Sequence, residues 1–69
     1  MKTLDELFSF LQRYGLKPND LARICEINPS LMRQYALGIK KPGEKNLFKI
    51  NEKICIFAEE LKEFKISDA

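Results

Sequence analysis

Three side chains that lie close together in the sequence, Ser30, Arg33 and Gln34, carry directional hydrogen-bonding groups. An arginine guanidinium can donate two parallel hydrogen bonds to guanine O6 and N7, and a glutamine carboxamide can pair in the same bidentate way with adenine N6 and N7. A serine near the start of a helix can reach a base or a phosphate oxygen. This chemistry requires that the three side chains point outward from the same side of one element.

The sequence around them predicts a short helix that meets this requirement. Asn28 is suited to cap the helix, and Pro29 is suited to its first position. Counted from Pro29 at about 100° per residue, Met32 and Tyr35 lie at about 300° and 240° and mark the inward side. The outward side, at about 40° to 140°, holds Ser30, Arg33, Gln34 and Leu37. These helical positions by themselves fit an ordinary solvated surface equally well.

Positive charge is concentrated in the middle of the chain, where this helix is predicted. Residues 21–50 contain six basic and two acidic side chains and carry a net charge of +4, whereas residues 1–20 carry 0 and residues 51–69 carry −2. Lys40 and Lys41 follow the predicted helix directly, and Lys45 lies close behind. Lysine is a suitable point charge for phosphate. The distribution is typical of a polyanion-binding face, with chance segregation on a solvated surface as the alternative.

Length and composition argue against several classes of protein. The 69 residues, 45% apolar and 32% charged, are enough for a single domain over residues 1–69 with one modest core. The chain has no histidine, phosphate-binding glycine loop or paired-carboxylate motif, so enzyme activity, a metal and a cofactor are not expected. Cys25 and Cys55 are expected to be free, buried thiols. No membrane-spanning stretch or secretory signal is evident, and a cytoplasmic location is therefore expected.

Capping and helix-breaking residues predict four helices and no strand. Thr3 and Glu6 have the spacing of a capping box and begin the first helix, which Gly15 ends. The other helices are predicted over residues 18–25, 29–37 and 44–64, with Gly38 closing the third. The second and third helices are joined by a connection of only a few residues. Such a pair is the minimum frame that presents one helix edge to a groove.

The predicted fourth helix carries an apolar stripe whose spacings alternate between three and four residues. The stripe consists of Leu47, Ile50, Ile54, Phe57, Leu61 and Phe64. Its first three residues are expected to pack under the short helices. Its last three are expected to form a seam with a two-fold related copy, in a homodimer whose outward helices lie about 34 Å apart. The alternative is that the first helix, through Phe8 and Phe10, covers the same stripe within one chain.

Residues 17–50 resemble the helix-turn-helix of phage repressor, Cro and Xre-type regulators. The resemblance runs without a gap over about half of the chain, and the flanking helices also suit the family. It is carried by Leu21, Ala22, Ile27, Met32, Tyr35, Gly38, Lys40, Lys41, Pro42, Leu47 and Ile50. The chain is particularly similar to small Xre-like domains of bacteria, some of them antitoxins, with an N-P-S-x-M-x-x-Y recognition segment.

The resemblance implies a compact, all-α, lambda-repressor-like domain of four to five helices, with the third helix in the major groove of double-stranded DNA. It implies base contacts at Pro29, Ser30, Arg33 and Gln34. It implies phosphate contacts near Pro18 and at Asn19, Leu37, Lys40 and Lys41, and the neighbouring Lys45 is a further candidate. Three positions depart from the family pattern: Glu26 replaces the usual turn glycine, Pro18 replaces the usual glutamine, and Pro29 offers no donor.

The sequence therefore predicts a transcriptional regulator or antitoxin-type repressor that binds duplex DNA sequence-specifically as a homodimer. An antitoxin would in addition bind a toxin or another protein partner. The competing interpretation is a protein-interaction module that keeps the fold without DNA contacts, through Leu37, Ile56 and the apolar stripe of the fourth helix. Salt separates the two interpretations, because only DNA binding through phosphate contacts weakens steeply as ionic strength rises.

Overall fold

The computed structural model describes residues 2–68, and within this range it contains four α-helices and no strand. The helices are α1 (Leu4–Gln12), α2 (Pro18–Cys25), α3 (Pro29–Ala36) and α4 (Glu44–Lys62). The all-helical class and the long C-terminal helix confirm the sequence prediction. α4 ends two residues earlier than predicted, so that Phe64 lies beyond the helix. No helix within residues 2–68 combines the length and the apolar character that crossing a membrane requires.

α1 and α3 each begin next to a residue whose side chain accepts a hydrogen bond from a free backbone amide of the first turn. The Thr3 hydroxyl accepts a hydrogen bond from the Glu6 amide at 3.2 Å, and the Glu6 carboxylate accepts one from the Thr3 amide at 3.0 Å. This is the predicted capping box. At α3, the side-chain oxygen of Asn28 accepts a hydrogen bond from the Ser30 amide at 2.8 Å, and Pro29 occupies the first helical position. Both helix starts are thus fixed by local sequence.

The connection between α2 and α3 depends on a left-handed residue that is not glycine. Glu26 has φ 58° and ψ 43°, and it is the one non-glycine residue with positive φ in the described range. The next amide, that of Ile27, donates to the Ala22 carbonyl at 3.0 Å, which closes the end of α2. Glu26, which replaces the turn glycine of the resembled family, therefore adopts a positive φ. The turn keeps its shape at some cost in backbone strain.

A small core joins α2, α3 and α4. Its seven buried residues are Leu21, Ala22, Cys25, Ile27, Met32, Tyr35 and Ile50. Half-buried residues of α1, with Leu31 and Ile54, pack around them. The tyrosine hydroxyl at the edge of this core accepts a hydrogen bond from the side-chain amide of Asn46 at 2.9 Å. This bond ties the start of α4 to α3.

Two expectations about the packing of α4 are wrong in part. Ile50 is buried and Ile54 half-buried as predicted, but Leu47 is 42% exposed. α4 packs mainly against α2, so its first turn, with Leu47, lies at the margin of the core. Cys25 is a free, buried thiol whose pKa is raised by desolvation, whereas Cys55 is free but exposed. Cys55 lies about 140° around the helix from Ile50, which turns it away from the core.

The end of the apolar stripe is not covered by the rest of residues 2–68. Phe57, Leu61 and Phe64 are 40%, 58% and 70% exposed. Phe8 is half-buried against the core and Phe10 is 49% exposed. The alternative in which α1 covers these three residues is therefore not what the structure shows.

Candidate nucleic-acid interface

The two sides of α3 differ in the way that its sequence predicts. Met32 is fully buried and Tyr35 is 5% exposed, and both lie in the core. Ser30 and Arg33 are exposed. Because a helix of eight residues is rigid over this length, burial of the first pair forces the second pair to face away from the protein interior. The guanidinium of Arg33 is thus available to a partner outside the chain.

The structure brings together three of the predicted site residues, Asn19, Ser30 and Arg33, which we call the Arg33 cluster. Arg33 Nη1 donates a hydrogen bond to Asn19 Oδ1 at 2.9 Å, and Arg33 Nη2 donates one to Ser30 Oγ at 3.1 Å. Asn19 lies on α2 and the other two lie on α3, so the cluster bridges the two short helices. The family resemblance implies a phosphate contact for Asn19, and its bond to Arg33 was not predicted, because a single-helix projection contains no information on the neighbouring helix.

The other two predicted base-contacting residues, Pro29 and Gln34, differ in their exposure to solvent. Pro29 is exposed, but Gln34 is half-buried. At about 140° on the helical projection, Gln34 is the outward residue nearest to the half-buried Leu31, and this explains its partial burial. Leu37 is the C-terminal cap of α3 rather than part of the helix, and it is 73% exposed. Of the two side chains with bidentate chemistry, Arg33 is thus the more accessible.

Three lysines surround the end of α3 and the start of α4 with unneutralised charge. Lys40, Lys41 and Lys45 are exposed. No salt bridge or side-chain hydrogen bond within residues 2–68 involves their ammonium groups. They are therefore free to contact phosphate oxygens.

The fourth lysine of this basic segment has a different, structural role. Lys49 Nζ donates to the backbone carbonyl of Glu26 at 3.0 Å, and Lys53 Nζ lies 3.4 Å from the Glu26 carboxylate. These contacts connect α4 to the strained turn between α2 and α3. The ammonium group of Lys49 is therefore already engaged by the protein, unlike those of Lys40, Lys41 and Lys45.

The N-terminus of α2 is occupied by a carboxylate of the protein itself. Asp20 accepts a hydrogen bond from the Lys17 amide at 2.7 Å and forms an ion pair with Arg23. The hydrogen bond from Lys17, aided by Arg23, lowers the pKa of Asp20 below its ordinary value of 3.8. The carboxylate is therefore charged near neutral pH and competes with any phosphate at this helix end. The side-chain amino group of Asn19 is one donor that remains at this helix end.

No family model matches the chain, and no curated protein or solved structure matches it either. Within residues 2–68, no three residues of the types that bind metals are grouped closely enough to hold an ion. Fold and site together define a small all-helical chain in which one short helix presents hydrogen-bond donors beside a set of free lysines. Such a surface is suited to a partner that is negatively charged and rich in acceptors.

Proposed function

We propose that this chain is a helix-turn-helix domain of the phage repressor, Cro and Xre type that binds double-stranded DNA sequence-specifically. In this proposal α2 and α3 form the helix-turn-helix, and α3 enters the major groove. The protein acts in the cytoplasm as a transcriptional regulator or an antitoxin-type repressor. The observation that carries the proposal is the exposed guanidinium of Arg33 on the side of α3 opposite the buried Met32 and Tyr35.

The dimensions and chemistry of the surface support this assignment. α3 has eight residues and a length of about 12 Å, which fits a major groove about 12 Å wide. Arg33 and Ser30 face the base edges, with Pro29 and Gln34 beside them. The phosphates on either side are contacted by Lys40, Lys41 and Lys45, and Leu37 lies against the sugar-phosphate backbone.

The proposal includes a homodimer. An exposed apolar surface is formed by Phe57, Leu61 and Phe64. In sequence, these residues lie well beyond the Arg33 cluster. Pairing this surface with the same surface of a second copy removes it from water, which is the dominant driving force for association. Two copies related by a two-fold axis then present two α3 helices to successive major grooves, about 34 Å apart.

Salt dependence of binding tests the proposal. With four to six phosphate contacts, affinity for a duplex falls about 10²- to 10³-fold between 50 and 200 mM salt. Fluorescence anisotropy of a labelled duplex measures this change. Arg33→Ala reduces discrimination between a selected and a random duplex, whereas Lys41→Ala weakens both alike.

Lys62→Ala is the matched control, because Lys62 is an exposed lysine that lies next to Glu59 and outside the proposed interface. It leaves affinity and discrimination unchanged. Equal effects of Arg33→Ala on the selected and the random duplex would count against base contact by Arg33.

A second candidate function is supported by further exposed apolar side chains. Leu37, Ile39 and Phe48 are 73%, 70% and 69% exposed, and Ile56 is 46% exposed. A protein-interaction module would use such residues to bind a toxin or another protein. Its affinity responds little to salt and to Arg33→Ala, but it falls on Leu37→Asp. A wild-type chain that binds no duplex at 50 mM salt would favour this candidate.

A further inference from the structure

We infer that Asn19 is a positioning residue for Arg33, and that the Arg33 cluster selects guanine through a surface in which donors predominate. This inference rests on the proposed function and specifies which base that function recognises. It assigns Asn19 a role in discrimination in place of the phosphate contact that the family resemblance implies.

The two hydrogen bonds within the cluster engage one lone pair on each of its two acceptor oxygens and leave most of its donors free. A guanidinium has five N–H groups, of which one is directed to Asn19 Oδ1 and one to Ser30 Oγ, so three remain. Asn19 keeps both hydrogens of its amino group, and Ser30 keeps its hydroxyl hydrogen, because each acts as an acceptor toward Arg33. The side-chain carbonyl of Asn19, the one strong acceptor of the cluster, is already engaged.

The surface that remains matches one base better than the other three. Guanine presents two acceptors, O6 and N7, in the major groove. Adenine presents an acceptor beside an amino donor, and cytosine presents an amino donor. The three free N–H groups of the guanidinium leave that amino group opposite another donor, and thymine offers a single acceptor beside a methyl group. We therefore expect guanine at the position that faces Arg33.

Holding the guanidinium matters because a free arginine has many other partners on DNA. An exposed arginine side chain is flexible, and a phosphate oxygen binds it as readily as a base does. The bond to Asn19 at 2.9 Å and the bond to Ser30 at 3.1 Å restrain the guanidinium above the outer side of α3 before DNA arrives. This restraint favours the base contact over the phosphate contact, so its loss reduces discrimination more than total affinity.

Two variants of the intact chain separate positioning from phosphate contact. Asn19→Ala removes the acceptor for Arg33. It lowers the affinity ratio between a duplex with guanine at the selected position and the same duplex with adenine by about fivefold, the equivalent of one net hydrogen bond. Affinity for a random duplex changes less than about twofold. Asn19→Asp keeps an acceptor for Arg33 but adds a negative charge; it weakens binding to every duplex and preserves the guanine to adenine ratio.

Anisotropy titrations of the three proteins on the guanine, adenine and random duplexes give the result. A ratio that falls with Asn19→Ala and is kept by Asn19→Asp supports positioning by Asn19. Equal weakening of all three duplexes by Asn19→Ala, with an unchanged ratio, overturns it, as does a wild-type preference for adenine. Absence of duplex binding by the wild-type protein overturns the proposed function itself and is seen before any variant is compared.

The guanidinium can also be observed without DNA. In nitrogen-15 NMR spectra of the free protein, restrained Nη groups of Arg33 give separate signals, and freely rotating groups give one averaged signal. We expect separate signals in the wild type and in Asn19→Asp, and an averaged signal in Asn19→Ala. An averaged signal in the wild type would contradict the restraint.

Discussion

Glu26 holds a backbone conformation that suits glycine better than any other residue. Its φ of 58° lies in the left-handed region, where a Cβ atom approaches the following carbonyl. Its carbonyl binds Lys49, and its carboxylate lies near Lys53. The contact with Lys49 uses the backbone and survives any substitution, whereas the pair with Lys53 is lost with the side chain. Because Glu26 is largely exposed, that pair adds little stability.

We therefore expect Glu26→Gly to stabilise the protein by about 0.5–1 kcal/mol, through relief of strain in the turn. Thermal or urea unfolding followed by circular dichroism measures the change. Glu26→Ala is the matched control, because it removes the same side chain and keeps the strain; its stability equals that of the wild type or falls slightly below it. Glu26→Gly less stable than Glu26→Ala would show that the left-handed conformation is not strained.

Asp20 links the stability of α2 to pH. The hydrogen bond from the Lys17 amide and the charge of Arg23 hold its pKa below 3.8 in the folded state. A carboxyl group with a lowered pKa stabilises the fold fully above its unfolded pKa, and this stabilisation is lost as pH falls through its folded pKa. The stabilisation from Asp20 is thus present at neutral pH, begins to fall near the ordinary pKa of 3.8, and is lost as pH falls through the lower folded pKa.

Asp20→Asn is therefore expected to lower the melting temperature at neutral pH. In strong acid, the variant and the wild type are expected to have the same melting temperature. Melting curves at a series of pH values measure the gap between the two proteins. Asp68→Asn, which removes a carboxylate from the segment after α4, is the charge control at each pH. A gap that stays constant to the lowest pH at which unfolding remains cooperative would contradict the role assigned to Asp20.

The four helices were largely predictable from sequence because their ends are set by local contacts. Two helix starts are defined by residues at most three positions apart: Thr3 with Glu6, and Asn28 with Pro29. The burial of Met32 also followed from its position on one helix. Local periodicity could not predict the bond between Asn19 and Arg33, which depends on how α2 and α3 are placed relative to each other.

The exposure of Leu47 was missed for a related reason. Its spacing from Ile50 and Ile54 is correct for a core position. Whether such a position is covered depends on the length and placement of the partner helix, and α2 has only eight residues. Periodicity identifies the side of a helix that faces a core, but it does not show where along the helix the core ends.

The whole molecule is elongated, with principal extents of 46, 24 and 22 Å. The core joins α2, α3 and the middle of α4, and the last turns of α4 carry exposed Phe57 and Leu61. Positive charge is concentrated in residues 21–50 and negative charge in residues 51–69. In the proposed function, dimerisation and polyanion binding thus use different parts of the chain.

The proposed homodimer is tested by changing one apolar residue on each side of α4. Leu61→Glu places a charge in the seam and converts the dimer to a monomer at tens of micromolar, as measured by sedimentation equilibrium. Phe48→Glu is the matched control: Phe48 is 69% exposed and lies about 180° around the helix from Phe57, so this variant stays dimeric. A monomeric wild type, or equal dissociation of both variants, would rule out this seam.

The central claim, that Arg33 on α3 contacts bases in duplex DNA, is tested most directly by selecting bound duplexes from a random library. The wild type is expected to enrich a two-fold symmetric site with half-sites about 10 base pairs apart and a guanine in each half. Lys41→Ala enriches the same site with lower recovery, and Arg33→Ala loses the guanine. No enrichment by the wild type, or an identical site selected by Arg33→Ala, would contradict the claim.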